Sequence, residues 1–107
     1  MAVGPCDFPD MPELSGILIG TACAGIKQTI KDDIVVFQMA ERATAAAVFT
    51  QNAFCAAPVT VAKAHLRQQP RWLLINSGNA NAGTGEQGLS DAFACCSGLA
   101  QATGGEA

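Results

Sequence analysis

Tyrosine is absent from the 107 residues, tryptophan and histidine occur once each, and charged residues make up only 14%. Each shortage narrows what the chain does. Six Lys and Arg against nine Asp and Glu give a formal charge of −3. They form no basic cluster of the kind that neutralises nucleic-acid phosphates. The lone histidine, His65, has no Cys or second His at ligand spacing, which argues against zinc, and beside Lys63 it reads as a solvated helix position. Residues 43–62 carry no charge, yet Gln51, Asn52 and Pro58 interrupt them and their apolar positions are mostly alanine. A membrane span needs about 20 predominantly apolar residues, so none is expected here. Residues 1–10 contain Asp7 and Asp10 and no Lys or Arg, unlike the basic start of a secretory signal. The five cysteines, Cys6, Cys23, Cys55, Cys95 and Cys96, are odd in number and form no C-x-x-C pair. On a helix Cys95 and Cys96 point about 100° apart, poor geometry for one bridge or one metal. Reduced thiols acting as small hydrophobes in a cytoplasmic protein are the expectation.

What is abundant is small and apolar: half of the residues are hydrophobic and 11 are glycine. Such a composition folds rather than staying disordered. The length allows one domain, burying about 65% of its unfolded surface.

Three prolines and three acidic residues in the first 13 positions predict an irregular entry arm. The β-branched runs Ile17–Ala22 and Ile34–Met39 predict two strands, with Gly25 turning the chain toward Lys27 between them. Residues 44–50 (TAAAVFT) are expected as a third strand pairing back on the second, followed by a loop over 51–56. Pro58 suits the first turn of a helix running to about Gln68, since its missing N–H is unneeded there. Val59, Ala62 and Leu66 would form its inner face, and Pro70 would end it. The short apolar run at 71–76 is expected as a strand buried on both faces. A last helix over 86–102 presents Leu89, Ala92, Phe93, Cys96, Leu99 and Ala100 as one stripe. Thr84 and Gln87 have the form of a capping box, Glu86 suits the helix dipole, and Gly104-Gly105 closes the helix. Helix, strand, glycine loop and helix in that order favour α/β layering.

Chemistry is most legible in Asn76-Ser77-Gly78-Asn79-Ala80-Asn81-Ala82-Gly83-Thr84-Gly85, which joins that strand to the last helix. Backbone N–H groups at a helix start make a generic anion site. Gly78 and Gly83 have phosphate-loop spacing, but Thr84 stands where a lysine must reach the phosphates. Gly83-Thr84-Gly85-Glu86-Gln87-Gly88 matches the dinucleotide pattern G-x-G-x-x-G, and Glu106 lies at a suitable distance downstream. Its first glycine, however, is too far from the end of the strand at Asn76. A small anion- or nucleotide-binding module built on Gly83 to Gly88 is therefore one alternative. A tight structural connection, using the tolerance of Gly and Asn for positive φ, is the other.

Three blocks add a resemblance: Ala47-Val48-Phe49-Thr50-Gln51-Asn52, then Ala56-Ala57-Pro58-Val59, then residues 74–85. In this order and spacing they resemble the amino-terminal region of the ornithine acetyltransferases, the bifunctional glutamate N-acetyltransferases of arginine biosynthesis. Gly20-Thr21-Ala22 and Ala24-Gly25-Ile26-Lys27 fit the family's opening strand. The resemblance implies an α/β fold, a partial layered α-β-β-α sandwich, to which this chain gives a few strands and two helices. Residues 1–107 would be the amino-terminal part of such a domain, belonging to the alpha chain. The implied reaction moves acetyl from N-acetylornithine to glutamate, with acetyl-CoA a further donor in some members. It runs through a threonine freed by self-cleavage, which acts as nucleophile with its own amine as base, and a Thr-Gly pair stabilises the oxyanion. Both lie beyond residue 107 in the family pattern, and neither Thr84-Gly85 nor Thr103-Gly104 sits in the oxyanion context. No catalytic, cofactor-binding or metal-binding residue is therefore assigned within the chain. It is expected to be inactive alone and to need the carboxy-terminal remainder, the beta chain, as partner. Uncovered, its apolar strand edges and helix stripe are expected to promote association.

Overall fold

The computed structural model describes residues 9–107; Cys6 and the first part of the expected entry arm lie outside them. Three strands, β1 (Ile17–Ala22), β2 (Ile34–Met39) and β3 (Trp72–Asn76), form an antiparallel sheet in the order β1-β2-β3. Helices α1 (Ala57–His65) and α2 (Gly85–Thr103) pack on each other, and α1 runs into a 3₁₀ turn at Leu66–Gln68. The fold is α/β, with three antiparallel strands and two helices.

Register explains why all three strands are so apolar. Ile17 faces Met39, Ile19 faces Phe37, Phe37 faces Leu73 and Val35 faces Ile75. Because side chains alternate along a strand, these seven share one face of the sheet. Leu18, Ile34, Val36, Trp72 and Leu74 share the other. A sheet of this kind is built for cover on both sides.

Two strand expectations are corrected. Residues 44–50 form no strand, and the second neighbour of β2 is β3. Three consecutive alanines offer little to a pleated surface, and the place beside β2 goes to the bulkier Trp72-Leu73-Leu74-Ile75. The displaced segment is held from α1 instead. The Lys63 ammonium lies 5.6 Å above the Phe49 ring and donates to the Thr50 carbonyl at 3.5 Å. The strand at 71–76 is also not buried on both faces: it is an edge, with Leu73 and Ile75 exposed and Trp72 and Leu74 half-buried.

The helix pair holds the only buried hydrophobic side chains among the described residues, Val61 and Ala100. In α1 the inward position is Val61 rather than Ala62, which is exposed. Ala57, Val61 and His65 recur every four residues and so share a side, while Val59 and Leu66 are half-buried beside them. His65 is half-buried rather than fully solvated, its ring tilted against Phe93 with centroids 6.1 Å apart. Pro58 occupies the first turn of α1, as its geometry requires. At the far end of α2, Gly104 adopts φ +73 and donates to the Ala100 carbonyl, a left-handed stop that favours glycine.

Candidate functional site

The glycine-asparagine loop is held from three sides. The first hold begins at Asp33, which is 2% exposed. Its carboxylate accepts the N–H groups of Ala24 at 2.6 Å, Ile26 at 2.6 Å and Lys27 at 3.1 Å. These bonds gather the β1–β2 connection into a tight loop, with Gly25 at φ +75. The Asp33 backbone bridges outward as well, donating to Ala22 at 3.1 Å and accepting from Ser77 at 2.9 Å. Ile26 and Lys27 then lie directly over Gly78. A Cβ there would come within 2.6 Å of Lys27 Cγ, and the residue's φ of +93 already disfavours any side chain.

The second hold is a bridge between Ala56 and Ala82 that ties the loop to the segment entering α1. The third is aromatic: the Phe54 ring occupies the space a Cβ on Gly83 would need, with Gly83 at φ +68. Phe54 is itself set by a turn in which its N–H donates to Asn52 Oδ1 at 3.0 Å. At the start of α2, Gly88 lets Thr84 and Ala57 approach; its missing Cβ would lie 3.6 Å from the Ala57 methyl. The close contact is therefore between two helices, not the strand–helix contact of a dinucleotide fold.

These holds leave a cleft of about 90 Å³ lined by Asn76, Asn79 and Asn81, with Thr84, Asp91 and Cys95. None of the three carboxamides bonds to another described side chain. A second hollow of about 240 Å³ lies on the other side of Thr84, against Phe54 and Leu89. The small cleft has a carboxylate, Asp91, and no Lys or Arg in its lining, the wrong electrostatics for a phosphate. The sheet is antiparallel throughout, so the βαβ unit of a nucleotide fold is absent among the described residues. Within the Gly83 to Gly88 pattern, Phe54 crowds Gly83 and Thr84 crowds Gly88, while Gly85 borders the second hollow.

The capping box does not form. Thr84 sits at ψ −1 in the helical region, its hydroxyl donates back to the Asn81 carbonyl at 3.3 Å, and Gln87 donates to Asp91 at 2.8 Å. A capping threonine must be extended for its oxygen to meet the first-turn N–H groups, and the left-handed Gly83 and Gly85 on either side turn it away. Cys23, Cys55, Cys95 and Cys96 are free thiols. Burial pushes the Cys96 thiol up, and the adjacent Cys95 adds to the shift, the reverse of an activated nucleophile. No cluster of metal-ligating side chains occurs among the described residues, and no helix among them is long and apolar enough to cross a membrane.

Asp33 escaped the sequence-based reading. Its signal is an aspartate placed directly before a β-branched strand and after a glycine-containing turn, where a short carboxylate captures nearby N–H groups. The Ala24 N–H, helped by those of Lys27 and Ile26, holds its carboxyl below the ordinary 3.8 against the opposing effect of burial. A depressed folded-state value contributes stability that is complete above pH 3.8 and is lost as pH falls through the lower folded value. Acid titration below pH 4 should therefore release the 24–27 loop, while Asp33→Asn should flatten that limb and lower stability at neutral pH. Melting midpoints of both proteins across pH 2–7 measure this.

The antiparallel sheet, the helix pair and the glycine-asparagine loop between β3 and α2 together define a small α/β segment. The crystal structure of the Bacillus halodurans arginine biosynthesis bifunctional protein ArgJ matches 86% of this chain at TM-score 0.79 and 29% identity, over 49% of its own chain. That of the Mycobacterium tuberculosis ornithine acetyltransferase, complexed with ornithine, matches 75% at TM-score 0.67 and 35% identity, over 42% of its own. The ArgJ family model matches residues 18–107, and the chain belongs to the ArgJ family. It is 63% identical over 94 residues to the Methylococcus capsulatus ArgJ protein, covering 88% of this chain and 23% of that protein. It is 50% identical to the Pseudomonas fluorescens protein over all of its 107 residues and 26% of that relative. The chain thus spans about a quarter of the length of the curated relatives it matches.

Proposed function

We propose that residues 1–107 are the amino-terminal part of an acetyltransferase that moves acetyl from N-acetylornithine to glutamate in arginine biosynthesis. The observation that carries this is the continuous match to the ArgJ family over residues 18–107. The sheet, apolar on both faces, fits a segment whose cover comes from the rest of the enzyme. In this reading the nucleophilic threonine and the oxyanion donors belong to that remainder, and the present segment shapes the site through the loop at 76–85. Its carboxamides and Thr84 are neutral hydrogen-bonding groups, able to orient an amide or amino-acid substrate without competing as nucleophiles. Acetyl-CoA is a candidate second donor, the beta chain the partner and the cytoplasm the place of action, consistent with the free thiols.

The test pairs residues 1–107 with the downstream segment of the Methylococcus capsulatus relative, each purified alone and then refolded together. Acetyl transfer from N-acetylornithine to glutamate should be absent from this chain alone and appear in the mixture. Without nucleophile and oxyanion donors the loss should be roughly a millionfold. Transfer by residues 1–107 alone, or none in the mixture, overturns the proposal.

A further inference from the structure

Asp33 is the one buried charged residue among those described, and nothing in the proposed chemistry uses it. It is 43 residues from the nearest position of the loop at 76–85, yet it reaches that loop by two routes. Its carbonyl accepts the Ser77 N–H at 2.9 Å. Its carboxylate fixes the N–H groups of Ile26 and Lys27, whose side chains cover Gly78. No Lys or Arg pairs with the carboxylate: the ion pair among the described residues is Arg71 with Glu41. Three backbone donors carry the whole charge, so the anion serves to fix backbone rather than to balance a cation. Asn79 and Asn81, one and three residues after Gly78, line the small cleft together with Asn76, two residues before it.

We propose that Asp33 is a positioning residue for the acetyl-transfer site, setting the carboxamides of Asn76, Asn79 and Asn81 through Ser77 and through the Lys27–Gly78 contact. This rests on the acetyltransferase reading above. Asparagine at 33 keeps the shape but replaces one acceptor oxygen with an NH₂ group that faces backbone donors. The 24–27 loop loosens, Lys27 leaves Gly78, and the cleft loses its geometry. A displacement of this kind costs rate even where nothing touching substrate has changed.

The experiment uses the reconstituted enzyme and compares wild type, Asp33→Asn, Lys27→Ala and the double variant at a temperature where circular dichroism shows each folded. Asp33→Asn should lower kcat/KM roughly tenfold and Lys27→Ala several-fold. The double variant should fall no further than Asp33→Asn alone, because both act along one path. Faster hydrogen exchange at Ser77 and Asn79 in Asp33→Asn is expected alongside. Effects that multiply, or kcat/KM and exchange unchanged in folded Asp33→Asn, overturn the proposal. Should Asp33→Asn fail to fold, Lys27→Ala decides: unchanged kcat/KM overturns it, and a several-fold loss with faster exchange at Ser77 supports it. Wild-type enzyme with no acetyl transfer instead overturns the functional reading, and this inference with it.

Discussion

Replacing Ile19 with aspartate should have opposite effects on the isolated chain and on the assembled enzyme. Ile19 is 62% exposed and lies on the face shared with Ile17, Phe37, Met39, Leu73 and Ile75, opposite Phe37 in register. In the isolated segment this patch faces water and is a route to self-association. A carboxylate there interrupts it, at a strand-propensity cost of up to about 1 kcal/mol. Sedimentation should show Ile19→Asp less associated than wild type. In the complete enzyme that face is proposed to be covered, so the substitution forfeits about 1.5–3 kcal/mol of apolar burial and strands a charge out of water, at further cost. Together these weaken assembly by roughly a thousandfold, read as lost acetyl transfer at the concentrations where wild type is active. Assembly with wild-type affinity would show that Ile19 stays in water and that the cover lies elsewhere.

The fold was readable where local chemistry and final environment agree. β1 and β2 appear at the expected bounds because β-branched runs prefer extended backbone in any context. The last helix extends one residue further at each end than expected, because its stripe and its terminal Gly104 act locally. The failures are places where neighbours decide. Residues 44–50 look like a strand, but alanine gives a strand little to hold when a bulkier competitor is available for the same edge. At 71–76 the apolar run signals a strand, but its burial on both faces is not local information, and β3 lies at the edge of the sheet with Leu73 and Ile75 exposed. Thr84 and Gln87 satisfy the capping pattern, yet the left-handed glycines beside Thr84 give its hydroxyl another partner. Of the candidate site, the loop at 76–85 was legible from its glycines and asparagines. The clamp that holds it was not, since Asp33 reaches Ser77 across a distance in sequence that no local pattern records.

The helix pair should prove the more fragile half, and Val61 is the place to show it. It is 4% exposed and lies mid-way along α1, between the Ala57–Gly88 approach and the His65–Phe93 contact. A helix of nine residues is below the roughly 12–15 that stand alone in water, so α1 exists by leaning on α2. Val61→Asp places an unpaired carboxylate in that contact and should release α1, removing about a third of the helical signal at 222 nm. Val61→Ala keeps the surface apolar and should cost about 1–2 kcal/mol, lowering the melting midpoint by several degrees without loss of helix at 20 °C. The loop at 76–85 should follow α1, because its ties at Ala56 and Phe54 belong to the segment leading into that helix. Faster hydrogen exchange at Ala82 in Val61→Asp would show the coupling. Retained helicity in Val61→Asp would mean that α1 does not depend on its contact with α2.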